Sequence, residues 1–394
     1  MNGAMSWPFL RLYLLVLLYF SANAILNVFI PLRGESLGAT NTTIGIIMGA
    51  YLFTTMFFRP WAGQIIQKHG PLKVLRFILV FNGLALILYT ITGLGGYLIA
   101  RMMQGVSTAF FSMALQIGII DALPEEDRSQ GISLYSLFSY IPGIIGPLLA
   151  LGIWQGGMGY FAIVMVTIAI LTGVFGFSAN VDSAQSQPDT KHTDSNGNIF
   201  KSLSQLVRHP DLFRSSALML VGSLIFGATT IFIPLYAVQV DKGNAGIFLM
   251  IMAATVVFAR FTLRKRIPSD GKWHAPFMIG TMLLLALGSQ SVSIAIYGGA
   301  FFFYVGAVLI GTAQALLYPT LTTYLSFVLP ETSRNVLLGL FIAMADLGVS
   351  LGGIIMGPVA DMLSYSWMYM VCAILSVTIL VVVVYDRKKV VVQE

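Results

Sequence analysis

The chain has 394 residues, 57% of them apolar and 10% charged, with a net charge of +6. Soluble domains carry about 25% charged residues, so this composition excludes an ordinary water-soluble enzyme. The basic excess alternates from loop to loop instead of forming one face, which argues against nucleic acid as a partner.

Twelve apolar stretches fill the sequence, at 10–31, 44–66, 72–93, 96–121, 130–153, 159–179, 212–239, 244–263, 275–295, 299–327, 335–362 and 366–385. A spanning helix needs roughly 20 apolar residues, and backbone in lipid must satisfy its own hydrogen bonds. The expected fold is therefore an all-α integral membrane protein with 12 transmembrane helices in two six-helix pseudo-symmetric bundles. Ser21-Ala22-Asn23-Ala24 has the small-residue look of a signal-peptide end, but the apolar run continues to Pro31, so an uncleaved first helix is expected. On that helix Tyr19, Asn23 and Asn27 share one face. The second helix carries Tyr51 and Arg59. The fourth carries Arg101, Gln104, Thr108, Ser112 and Gln116 at spacings of three or four, a polar stripe on one face, and ends at Asp121.

Tyr135 and Ser139 open the fifth helix, and Gly143, Gly146 and Pro147 allow it a kink and a close neighbour. Residues 180–198 are rich in Ser, Asp, Asn and Gln, as a flexible linker is, and 199–207 can form a short amphipathic surface helix. The domain reading is 1–180, a linker 181–211, and 212–394. In the second half Arg260 lies in the eighth helix, and Gln314, Tyr318 and Thr322 share a face of the tenth. Asp346 is the one carboxylate near the middle of a helix; Ser350, Gly353 and Gly357 lie on its face, with Pro358 beyond. Lys and Arg concentrate in alternate loops (Lys68, Lys73 and Arg76, for example), with Arg33 and Lys242 in the opposite set. The positive-inside asymmetry puts both termini and the linker in the cytoplasm, in a plasma-membrane protein.

The halves repeat. Gly45, Arg59 and Gly70 recur 201 residues later as Gly246, Arg260 and Gly271. Leu123-Pro124-Glu125 with Arg128 recurs at an offset of 206 as Leu329-Pro330-Glu331 with Arg334, and Gly146-Pro147 at 211 as Gly357-Pro358.

Six helices, a linker and six more in parallel repeat resemble the major facilitator transporters. Arg101-Met102-Met103-Gln104-Gly105 is similar to that family's Arg-x-x-Gln-Gly motif. Gly63 to Gly70 resembles its Gly-x-x-x-Asp-Arg-x-Gly loop, with Gln67 and Lys68 in place of Asp and Arg. Gly143-Ile144-Ile145-Gly146-Pro147 is a shortened form of the antiporter Gly-Pro motif. The resemblance implies a substrate site near the middle of the membrane, and a gate in which Arg59 pairs with Asp121, supported by Gly63, Gly70, Gly146, Pro147, Gly357 and Pro358. Within the family, residues 21–27, 58–63, 318–322 and 345–353 resemble the exporters of opine-type metallophores. That implies a small anionic or zwitterionic substrate moved outward against protons by alternating access, by a monomer in the bilayer. The alternative is a broad multidrug:proton antiporter for hydrophobic or cationic compounds.

A charge in lipid costs about 2.5–3.5 kcal/mol even on the lenient insertion scale, so the intramembrane ones are the candidates. Arg101 suits carboxylates, as substrate anchor or as neighbour to a proton site; the structural alternative is a guanidinium satisfied by helix-end carbonyls. Asp346 can carry a proton, hold a substrate ammonium, or serve as a static partner for Arg260 or Arg101. Asn23, Asn27, Tyr51, Gln104, Gln116, Arg260, Gln314 and Tyr318 complete the expected substrate-binding set. His69, His192, His209 and His274 have no metal-ligand spacing, and Cys372 has no partner cysteine. No phosphate-binding loop ends in Lys-Ser/Thr, so no cofactor and no ATP are expected, and an ion gradient is the remaining fuel.

Overall fold

The computed structural model describes residues 3–178, 209–263, 266–268, 270–330 and 334–384. The linker and the 199–207 helix expected from the sequence lie outside the described residues. Among those described, ten continuous helical runs are long and apolar enough to cross a bilayer. They are α1 (Trp7–Ser36), α2 (Asn41–His69), α3 (Pro71–Ile91), α4 (Leu94–Ala122), the run Glu125–Ser178, α7 (Pro210–Tyr236), α8 (Ala245–Thr262), the run Ala275–Val328, α11 (Arg334–Met362) and α12, which begins at Tyr365. Thr40 starts α2 by accepting from the Thr43 amide, Asn244 starts α8 through the Ile247 amide, and proline sits in the first turn of α3 and α7. Each supplies or avoids an amide that a helix start leaves unpaired.

The two remaining runs are 54 residues each, about 80 Å if straight, far more than the ~30 Å hydrocarbon core. Each contains one residue outside helical geometry, Gly157 at φ 79° and Gly299 at φ 67°. Glycine adopts that left-handed conformation without a Cβ clash. The second run folds back there: Gly288 packs against Ile310, and Gly306 against Val292. Split at these glycines, the runs give α5 (125–156) and α6 (158–178), then α9 (275–298) and α10 (300–328). The twelve expected spans are thus present, two pairs being joined by a single residue.

The chain divides into two compact units, Met1–Lys191 and His192–Glu394. In the first, α1 packs on α5, α2 on α4 and α3 on α6; Gly146 meets Ala24, Gly105 meets Tyr51 and Thr54, and Gly176 meets Leu79. In the second, α7 packs on α11, α8 on α10 and α9 on α12; Gly227 meets Val349, Gly311 meets Met252 and Thr255, and Ser293 bonds the Ser366 carbonyl at 2.8 Å. The pairing is the same in both, and it reproduces the sequence offsets: Gly105 and Gly311 are 206 apart, Tyr51/Thr54 and Met252/Thr255 are 201 apart. Small residues let these helices approach closely, which is how helices associate where lipid offers no hydrophobic drive.

A Cβ on Gly105 would stand 2.3 Å from the Tyr51 carbonyl oxygen, whereas one on Gly95, in the first turn of the same helix, would meet nothing within 4 Å. Gly105→Ala is expected to cost about 1–3 kcal/mol by overpacking, and Gly95→Ala to leave stability unchanged or slightly raised. Thermal unfolding in detergent, followed by size-exclusion of the fluorescently tagged protein, reads both.

Candidate functional site

The polar stripe of α4 faces into the first unit. Arg101, two turns into the helix, is 0% exposed. Its Nη1 donates to Asn23 Oδ1 at 2.9 Å and its Nη2 to Asn27 Oδ1 at 2.9 Å. The two asparagines are one turn apart on α1, so a single planar fork reaches both. A guanidinium only donates, so both amides must present oxygen. Nη2 also lies 3.2 Å from Met48 Sδ, and the Tyr51 ring stands 5.4 Å from the guanidinium carbon, a cation–π distance. Tyr51 and Tyr19 both bond Thr108 Oγ1, at 3.0 and 2.9 Å, and Tyr19 stacks on Phe111 with centroids 3.7 Å apart. Gln104 accepts from Tyr89 of α3 at 2.7 Å.

Among the described residues, no carboxylate is bonded to Arg101. The sequence has none between Glu35 and Asp121, and Arg101 Nε is buried with no hydrogen-bond partner. Two amide oxygens, a thioether and a ring face therefore hold a full positive charge. Such a charge is retained against a desolvation cost of several kcal/mol, and the site remains attractive to an anion.

The other expected residues are distributed more widely. Ser112 turns back to the Thr108 carbonyl at 2.8 Å. Gln116 is exposed and lies with Arg59 beside Tyr135, which neighbours Tyr51 and Tyr19 at the far end of the network from Arg101. The Asp121 side chain is outside the described residues, so the expected Arg59 pair is not described. Gly63 packs on Met113, and Gly70 ends α2 at φ 83°. Gly146 packs on α1, and Gly348 and Gly352 on the Leu220 and Leu224 carbonyls of α7. Pro147, Gly357 and Pro358 lie inside their helices.

In the second unit Asp346 is half-buried in mid-α11, with Ser350 buried one turn on. Gln314 and Tyr318 are half-buried on α10, and the Tyr318 ring lies 6.1 Å from Phe341 of α11. Arg260 is in the last turn of α8, where the helix dipole favours a cation. No group of three or more His, Cys, Asp or Glu among the described residues could hold a metal ion.

The internal repeat sharpens the contrast. Phe29-Ile30-Pro31-Leu32 recurs 203 residues later as Phe232-Ile233-Pro234-Leu235, which aligns α1 with α7. Asn23 and Asn27 then correspond to Phe226 and Thr230, and Arg101, at the helix-4 offset, to Ala307. Conversely Tyr135 corresponds to Asp346. The first unit keeps the buried cation and the second the mid-helix carboxylate, on matching scaffolds. Met48 and Tyr89 were missed by sequence reasoning; a tyrosine in an apolar helix was the one usable signal, and a methionine carries none.

The sequence matches the Major Facilitator Superfamily over residues 12–268 and 270–393. With twelve spans in two similarly paired units, the chain belongs to this superfamily of multi-pass membrane transporters. It is similar to a staphylopine export protein of Staphylococcus aureus strain Mu50, 57% identical over 97% of this chain and 96% of that one. A multidrug resistance protein 2 of Bacillus subtilis is 26% identical over 48% of this chain and 47% of its own. The crystal structure of the nucleoside transporter NupG superposes with a TM-score of 0.82 over 97% of this chain and 100% of that one at 15% identity, a likeness of fold.

A double-mutant cycle tests the Arg101 cradle. Asn27→Ala leaves a buried guanidinium N–H unpaired, whereas in an Arg101→Met background it removes nothing charged. The coupling is expected at about 1–2 kcal/mol, read from thermal unfolding of the four proteins; additivity would show that the bond contributes nothing.

Proposed function

We propose that the chain is a proton-coupled secondary exporter of a small anionic or zwitterionic opine-type metallophore, staphylopine or a close relative, working by alternating access in the plasma membrane. The observation that carries this reading is Arg101, a buried guanidinium with neutral ligands and no carboxylate beside it. Whole-length similarity to a staphylopine exporter supports the substrate class. Substrate carboxylates take up the donors that Arg101 has left, and Asn23, Asn27, Tyr51 and Gln104 hold the guanidinium side of the site. Gln116 and, from the other unit, Arg260, Gln314 and Tyr318 add polar contacts. Asp346 carries the proton, and its protonation releases whatever substrate ammonium it holds.

Arg59, with Asp121, gates one side; Gly63, Gly70, Gly146, Pro147, Gly357 and Pro358 give the helices room to shift. The two bundles, 1–180 and 212–394, move about the 181–211 linker, with both termini in the cytoplasm, as a monomer. The protein performs no covalent chemistry and needs no cofactor. A lipophilic cation would meet the Arg101 charge in a stretch with no carboxylate between Glu35 and Asp121, which weighs against the multidrug alternative.

Inside-out membrane vesicles with an imposed proton gradient and a fluorescent pH reporter test the assignment. A staphylopine-type metallophore should release protons in wild type, and a lipophilic cation should not; the reverse pattern would make the protein a multidrug antiporter. Asp346→Asn should abolish the signal while keeping substrate binding, and unchanged antiport would remove Asp346 from the mechanism. Asn27→Asp sets a carboxylate against Arg101 and is expected to weaken metallophore binding about tenfold or more, since one tenfold step is only 1.4 kcal/mol.

A further inference from the structure

A groove of about 570 Å³ opens between α2, α3 and α4 of the first unit. It lies across α4 from the substrate candidates. Val106 and Phe110, which form its floor, are about 140° and 180° round the helix from Arg101. Its walls are apolar, with Trp61 37% and Phe77 71% exposed. Only one end is charged: Lys73 opens α3 there, exposed, beside the exposed His69 that closes α2. From His69 to Phe58, the deepest α2 residue of the groove, is eleven residues, about 16 Å of helix, close to half of the ~30 Å hydrocarbon core. The groove thus has the length of one leaflet's acyl region and a cation where that leaflet's headgroups lie.

The sequence around this turn supplies no counter-charge of its own. The whole stretch from Ser36 to Ile120 lacks Asp and Glu while carrying Lys68, Lys73 and Arg76 around the α2–α3 turn. Gln67 stands where the resembled loop motif has Asp. His69 Nδ1 lies 3.1 Å from the Ile65 carbonyl; a carbonyl accepts only, so Nδ1 carries the hydrogen and Nε2 is left to face outward. Neither Lys73 nor His69 has a carboxylate partner among the described residues.

We propose that this groove binds one anionic phospholipid of the leaflet on the α2–α3 side, its phosphate held by Lys73 and one acyl chain lying along Trp61, Phe77 and Phe110. The site is distinct from the transport site and does not depend on what is transported. Lys73 supplies headgroup selectivity, and the aromatic walls accept any chain.

Trp61 is a built-in reporter. The full-length protein is placed in phosphatidylcholine nanodiscs doped with a minor fraction of brominated-chain lipid, either phosphatidylglycerol or phosphatidylcholine. Quenching assigned to Trp61 is the difference between wild type and Trp61→Phe. Brominated phosphatidylglycerol should quench it several-fold more than phosphatidylcholine at equal mole fraction. That preference should fall about fivefold in Lys73→Gln, survive in Lys73→Arg, and decline with added salt in the wild type. Equal quenching by both lipids would reduce the groove to ordinary solvated surface. No quenching by either would show it to be filled by another part of the chain or a second copy. Either result overturns the proposal.

Discussion

A positive charge that cannot be given up, placed where water is scarce, governs the first unit. Arginine stays protonated in any protein environment, so burying Arg101 obliges the neighbouring helices to present acceptors. α1 answers with two amides one turn apart, α2 with a thioether and a phenol ring, and Thr108 of α4 ties Tyr51 to Tyr19 of α1. The relative rotation of these three helices follows from that obligation. Because these ligands are neutral, the net charge of the cluster is undiminished, and its field favours an anion over a cation.

The second unit shows what the same scaffold does without that charge. Gly311 seats α10 on α8 as Gly105 seats α4 on α2, yet the residue equivalent to Arg101 is Ala307. The close approaches between backbones, which set the helix pairing, survived in both units, while the polar side chains diverged. Packing and chemistry are therefore carried by different residues of the same helices, glycines such as Gly105 and hydrogen-bonding groups such as Arg101. A mid-helix carboxylate thus stands in one unit and a buried guanidinium in the other, on the same helix pairing.

Much of this was legible in the sequence because lipid leaves the backbone few choices. The spans fall within a few residues of their expected limits, and the α4 stripe of Arg101, Gln104 and Thr108 points inward as its spacing predicts. The breaks at Gly157 and Gly299 were legible as ends of apolar runs but not as single-residue joins, since a positive φ leaves no pattern beyond a glycine among many. Met48 was invisible because a thioether in a spanning helix looks like packing. Gln116 belongs to the stripe by spacing but sits beside Tyr135: periodicity gives the face of a helix, not which neighbour covers it at each level. Gly146 signals a close approach in the sequence, and the structure supplies the neighbour, Ala24 of α1; a small residue announces a neighbour without naming it.

The joins themselves have an effect on how the molecule meets its surroundings. In the first unit α1–α2, α3–α4 and α5–α6 are linked by residues 37–40, 92–93 and 157, and in the second α7–α8, α9–α10 and α11–α12 by 237–244, 299 and 363–364. Each set lies on one membrane face of its unit, because consecutive helices alternate direction. Proteases need several extended residues of mobile chain, and antibodies favour protruding tips; loops are where both find them. In the first unit a face closed by turns this short offers neither, so it presents a small and resistant target to hydrolytic enzymes and to immune recognition.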